Sequence, residues 1–307
     1  MSSVPLAGVY AAILTPLTAD LRPDLGRFVD HCKNLLKTGC DGIAPLGTTG
    51  EANSIALTDR IALIEASAKV GLPMQRMIVG TGTPALHDTV ALSRAALEAG
   101  AGGLLVLPPF YYKQPSEDGL FAAYAGLAER VGTLNPRIYL YHFPQMSSVA
   151  ITVNLVARLR DAFPGMFVGM KDSSGDFANT KTFIEAFPGF EAFSGSEELL
   201  LDNLRAGGVG CISATTNVTQ HLAQQVVKDW RKGAGDSAQQ AATAARHAIA
   251  RFAAIPALKA IMAKRSGDTA WLNVLPPMRP LSPAQVADLF AGLASMSGFT
   301  DLRAAAE

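Results

Sequence analysis

The chain has 307 residues, 49% of them hydrophobic and 17% charged, a balance that fills a large core and excludes extended disorder. Lys plus Arg and Asp plus Glu both total 26, so no overall field draws the protein to nucleic acid or to an anionic membrane. Cys32, Cys40 and Cys211 form neither a CxxC pair nor a zinc-like spacing with histidine, which excludes a disulfide framework and leaves no metal site expected.

The first segment, MSSVPLAGVYAAILTP, has no basic n-region ahead of a long apolar stretch, and nowhere do about 18 apolar residues run unbroken. A soluble, cytoplasmic protein is expected. Short apolar runs follow at 9–14, 42–46, 77–80, 103–107, 137–141, 167–170, 190–193 and 209–212, each ending at Gly, Pro or polar residues. Between them lie segments with helical spacing: LGRFVDHCKNLLKTG, DRIALIEASAKVG, DTVALSRAALEAGAGG, GLFAAYAGLAERVG and VNLVARLRDAF. Most stop at Gly or Pro, as helices do when they need a left-handed or non-helical residue to end on.

Eight βα units suit a closed parallel barrel, whereas an open doubly wound sheet more often has about five or six strands. The expected fold is α/β, a (β/α)8 TIM barrel. After about residue 220 the strands cease, and DSAQQAATAARHAIARFAA, PALKAIMAKR and SPAQVADLFAGLASM have helical patterns. Ser282 is placed to cap the last of these, with Pro283 in its first turn. The expected organisation is a barrel core with its catalytic rim over 1–220, then the last barrel helix and a helical extension over 221–307. The closing DLRAAAE is expected to fray.

Reactive groups on such a barrel gather where strands end and βα loops begin. Four strand ends carry them: Gly47-Thr48-Thr49-Gly50-Glu51, Pro109-Phe110-Tyr111-Tyr112, Tyr141 and Lys171. Lys171 follows the apolar run 167–170, so its stem leaves a buried strand; burial there favours the neutral amine, which can attack a ketone. The competing reading is a lysine that snorkels from a strand end or pairs with Asp172. Tyr141 closes the neighbouring strand, where a phenol could relay protons to that amine or simply fill the barrel top. GTTGE is a tight Gly-bounded loop whose hydroxyls and N–H groups suit a carboxylate or phosphate. It matches neither GxGxxG nor the P-loop, and neither does GTGTP at 80–84.

Taken together, GTTGE at 47–51, YHFP at 141–144 and GMKDSSGD at 169–176 resemble the dihydrodipicolinate synthase and N-acetylneuraminate lyase family, over nearly the whole chain. The resemblance implies a class I aldolase or lyase. Lys171 would form a Schiff base with pyruvate, Tyr141 would shuttle protons, and Gly47, Thr48 and Thr49 would cradle the carboxylate. Thr49 would extend the relay to a tyrosine donated by another subunit, Tyr111 or Tyr112, with Tyr111 preferred. The family's usual assembly implies a homotetramer built as a dimer of dimers.

Departures from the family pattern narrow the substrate. Met146 stands where dihydrodipicolinate synthases carry an arginine for their second substrate's carboxylate, and a thioether cannot replace a bidentate guanidinium. A sugar-acid or other aldehyde partner is therefore favoured over lysine biosynthesis. Gly195-Ser196-Glu197-Glu198 is similar to the lyase segment whose acidic residues meet sugar hydroxyls, though both glutamates also suit a helix N-terminus. Ser213-Ala214-Thr215 puts Ser213 among the substrate contacts, but Ala214 stands where sialate lyases have serine. His142 replaces the usual asparagine and, by strand alternation, faces away from Tyr141. Cys211, Trp230 and Trp271 are expected to pack.

The implied chemistry needs no metal and no organic cofactor, because the imine is the electron sink. A dehydratase that keeps the carbon chain intact, and a catalytically silent keto-acid-binding barrel, are the alternatives.

Overall fold

A computed structural model describes residues 6–302; residues 1–5 of the first segment and 303–307 of the tail, for which fraying was expected, lie outside the described residues. The eight expected runs are all strands: β1 Gly8–Ala12, β2 Gly42–Ala44, β3 Ile78–Gly80, β4 Gly103–Val106, β5 Ile138–His142, β6 Phe167–Asp172, β7 Glu191–Ser194 and β8 Gly210–Ser213. They form one sheet in the order β2-β1-β8-β7-β6-β5-β4-β3, every pairing parallel. A parallel bridge between Ile43 and Met77 joins its two ends. The fold is a TIM barrel.

Strand residues are buried almost throughout, because helices cover the outside and side chains fill the inside. The interior carries Tyr10, Ala12, Ala44, Ile78, Leu105, Tyr139, Tyr141, Phe193 and Ile212. Large rings fit there because their neighbours are glycines: a Cβ on Gly42 would lie 2.1 Å from the Tyr10 ring, and one on Gly103 2.7 Å from that of Tyr139. Beside those rings the Arg137 guanidinium meets Glu191 at 2.5 Å, and the Tyr139 hydroxyl donates to the same carboxylate.

Helices α1 Leu25–Thr38, α2 Leu57–Lys69, α3 Leu86–Glu98 and α4 Glu117–Val131 follow the first four strands. The short α5 Pro144–Ser147 and α6 Val153–Ala162 follow β5, α7 Phe177–Ala186 follows β6, α8 Leu200–Arg205 follows β7, and α9 Thr216–Trp230 follows β8. In α1, Phe28, Val29, His31, Cys32 and Leu35 are buried, the spacing of a single helical stripe, and Asp24 caps its N-terminus by accepting from the Arg27 N–H at 2.9 Å. The expected division at residue 220 falls inside α9.

Three helices extend the barrel: α10 Asp236–Ala250, α11 Ala254–Ser266 and α12 Pro283–Leu293. Ser282 caps α12 as expected, in a reciprocal capping box with Gln285. Trp271 is buried against His31, ring centroids 5.1 Å apart, so the extension is packed onto the barrel. Cys32, Cys40 and Cys211 are free and buried. Among the described residues no helix is long and apolar enough to cross a membrane.

Strand limits differ from the sequence reading where side chains find ladder partners or lose them. β6 continues through Lys171 and Asp172 because both pair on either side, Lys171 with Tyr141 and with Phe193. β2 stops early, because Pro45 cannot donate to a ladder and Leu46 turns to φ 58°.

Candidate active site

At the strand C-termini a cavity of about 560 Å³ opens, with Thr48, Thr49, Tyr141, Phe143, Met146 and Lys171 in its wall. The β5–β6 register sets Tyr141 directly opposite Lys171, so alternation sends both side chains inward. Lys171 and Tyr141 are 4% and 3% exposed, which rules out a lysine snorkelling to bulk water. The Lys171 Nζ donates to the Tyr141 Oη at 3.1 Å and lies 4.3 Å from the ring centroid. Asp172 does not hold the amine: its carboxylate accepts from the Ser174 N–H, the Asn179 amide and the Thr180 hydroxyl at 2.8, 2.7 and 2.8 Å.

Burial pushes the Tyr141 phenol up, but the charge of Lys171 and hydrogen bonds with Thr48, Lys171 and Ser173 outweigh it, so the phenol ionises below its ordinary value. Thr48 Oγ1 is 3.4 Å from Tyr141 Oη, and the Phe143 ring stacks on Tyr141 with centroids 5.8 Å apart. A buried amine, a phenol that gives up its proton readily and a hydroxyl thus stand in line at the mouth of the barrel.

The loop that brings Thr48 and Thr49 here is held in a costly conformation. Leu46 and Glu51 both have left-handed backbones, φ 58° and 56°, each costing about 1–3 kcal/mol for a residue with a side chain. Gly80 makes the Leu46 turn possible, since a Cβ there would lie 2.2 Å from the Leu46 carbonyl oxygen. Glu51 is anchored from the extension: the fully buried Lys259 ammonium donates to one carboxylate oxygen, and the Leu275 N–H donates to the other at 2.7 Å. Lys259 Nζ also donates to the Asn273 carbonyl at 2.6 Å.

Residues 5–293 match the model of the dihydrodipicolinate synthetase family. The chain belongs to that family. It is 36% identical over 292 residues to an uncharacterized DapA-like lyase of Chloroflexus aurantiacus, covering 92% of this chain and 95% of the relative. The crystal structure of dihydrodipicolinate synthase from Agrobacterium tumefaciens superposes with a TM-score of 0.84 at 30% identity, covering 94% of this chain and 99% of that one. YagE from E. coli K12, a prophage protein of the dihydrodipicolinic acid synthase family solved in complex with pyruvate, gives a TM-score of 0.86 at 26% identity, over 93% of this chain and 97% of that one.

Within this family member, several residues singled out by sequence lie outside the cavity wall of their own chain. Tyr111 and Tyr112 are 70% and 81% exposed, pack edge to face on each other and do not line their own chain's cavity. Gly47 lies in the loop but outside the cavity wall, with its carbonyl accepting from the Ala52 N–H at 3.3 Å. Glu197 and Ser213 do not reach the cavity either. Glu197 is 0% exposed and accepts from the Ser213, Thr215 and Thr219 hydroxyls and from Arg246. A buried carboxylate needs that many donors to offset its lost hydration, and they leave it turned inward. Glu198 and Ala214, the neighbours of Glu197 and Ser213 in sequence, line the cavity instead.

Met146 is 58% exposed in the cavity wall. His142 faces outward as expected, its Nδ1 accepting from the Ile151 N–H at 3.1 Å. Arg246, residues 253–256 and Met278 complete the cavity from the extension. None of these carries a motif; the sequence signal was limited to a charged residue inside an Ala-rich helix.

Proposed function

We propose that the protein is a Schiff-base aldolase or lyase that joins or separates pyruvate and an aldehyde. The observation that carries this reading is the buried contact between Lys171 Nζ and Tyr141 Oη at 3.1 Å, in the wall of the cavity. The unprotonated amine of Lys171 adds to the C2 carbonyl of pyruvate, and loss of water gives the imine. Tyr141 carries protons to and from the carbinolamine oxygen, a role its hydroxyl's place 3.1 Å from Lys171 Nζ supports. The imine draws off the electron pair when C3 loses a proton, giving an enamine. Its C3 then attacks the aldehyde carbon, the aldehyde oxygen takes up a proton, and water releases the 2-keto-4-hydroxy acid and the free lysine. Cleavage is the same sequence reversed.

Thr48 and Thr49 in the GTTGE loop are the groups this reading assigns to the pyruvate carboxylate. No metal or organic cofactor enters the scheme, since the imine supplies the electron sink. The presence of Met146 in the cavity wall favours an aldehyde other than the one used by the dihydrodipicolinate synthases among its relatives. The exposed Tyr111 and Tyr112 suit a role in a second copy, where one of them would reach Thr49 of its neighbour.

The test is reduction with borohydride in the presence of pyruvate, followed by peptide mass spectrometry. A pyruvyl adduct on Lys171 is expected, and Lys171→Ala should give none. An untouched wild-type protein, or equal labelling of the variant, would remove the reading.

A further inference from the structure

The basic side chains among the cavity-lining residues are Lys171 and Arg246, and Arg246 has no part in the chemistry above. Its position is fixed on one side. Nη1 donates toward Glu197, Ser213 and Thr215 at 3.3, 3.3 and 3.2 Å, and Nε lies 3.8 Å from the Glu198 carboxylate. The Ser213 and Thr215 hydroxyls give their own hydrogens to Glu197, so their lone pairs are what Arg246 meets. The Nη2 hydrogens have no acceptor among the described residues, on a side chain that lines the cavity.

The charge around this guanidinium is settled by its neighbours. Two carboxylates, Glu197 and Glu198, stand against the one cation, and Glu198 is 40% exposed beside it, sharing a 2.9 Å contact with His247 Nε2. A substrate carboxylate arriving here would be the third, and would meet a cation already neutralised and a like charge next to it. A hydroxyl group fits both neighbours, since it accepts from Nη2 and donates to Glu198. A guanidinium held from behind also binds without the loss of rotamer freedom that a loose arginine incurs.

We propose that Arg246, with Glu198, is a specificity-determining pair that selects an uncharged, hydroxylated aldehyde as the partner of the keto acid and rejects an aldehyde bearing its own carboxylate. The proposal rests on the aldolase reading above and narrows its second substrate.

Its test uses the intact protein with pyruvate and three aldehydes: D-glyceraldehyde, propionaldehyde without hydroxyls, and succinic semialdehyde with a carboxylate. The wild type should favour glyceraldehyde over each of the others by about tenfold or more in kcat/KM, the scale of a hydrogen bond to a charged group. Arg246→Met alone strands the buried Glu197, so the variant to measure is Arg246→Met with Glu197→Gln; it should lose most of the preference over propionaldehyde. Arg246→Lys keeps a charge for Glu197 but lacks the fork, and should lose it too. Glu198→Gln should raise succinic semialdehyde relative to glyceraldehyde. Trapping of pyruvate on the wild-type lysine is measured alongside. Trapping without a preference for glyceraldehyde, or a preference that both Arg246 variants retain, overturns the role of Arg246 and leaves the aldolase reading standing; failure of trapping removes both.

Discussion

Replacing Lys259 by Met should be among the most damaging single changes in the molecule. Lys259 is 0% exposed and Glu51 3%, and the ammonium is shared between the Glu51 carboxylate and the Asn273 carbonyl. Without it, Glu51 keeps the Leu275 N–H at 2.7 Å but remains a buried anion with no countercharge, and Asn273 loses a donor. Removing one partner of a buried pair costs about 3–5 kcal/mol. The loss also frees the strained end of the GTTGE loop, so the KM for pyruvate should rise as well as the stability fall. Chemical denaturation followed by circular dichroism measures the first effect and initial rates the second. Combining Lys259→Met with Glu51→Gln removes the stranded charge, and the double variant should recover part of the loss. A single variant within about 1 kcal/mol of wild type, or a double variant no more stable than Lys259→Met, would refute the reasoning, because the cost is assigned to an unpaired charge.

Tyr141→Phe should leave the barrel folded, since the ring still packs against Phe143, and lower kcat by about 10²–10⁴-fold for loss of the proton carrier; a variant with wild-type kcat would exclude Tyr141 from the chemistry. Stability should also depend on His31, which burial holds down to about 4 from 6.5 despite its hydrogen bond to Asn217 Oδ1. The unfolded chain takes up the proton first, so this contribution is complete above pH 6.5 and is lost as pH falls toward 4, by about 3 kcal/mol. Urea midpoints across that range should show the loss and His31→Gln should flatten it; parallel curves for the two proteins would show that another group titrates.

The eight strands and the helices between them were legible because each βα unit carries its own pattern. A fully buried parallel strand is a short apolar run, a covering helix repeats its apolar face every three or four residues, and glycine or proline stops both. Lys171 and Tyr141 were legible for a related reason: each ends an apolar run, and the ends of parallel strands share one rim. Strand alternation likewise put His142 on the outer face, where the structure has it.

Other assignments depended on which polar groups meet after folding. Glu197 and Glu198 are adjacent and alike in sequence, yet one is buried under four donors and the other faces the cavity. Sequence spacing cannot separate them, since the donors to Glu197 come from β8, the turn after it, α9 and α10. Glu51 looked like part of a carboxylate-binding loop, and the structure gives it a distant partner, Lys259, in a helix whose local pattern shows no more than an Ala-rich face. The sequence by itself determined the barrel and the strand ends from which a lysine and a tyrosine project, because period and chain order are local properties. Tertiary structure alone decided that Arg246 lines the cavity, that Lys259 anchors the loop beside it and that Glu197 lies outside its wall, because compensation of a buried charge is settled by whatever the fold brings within a few ångströms.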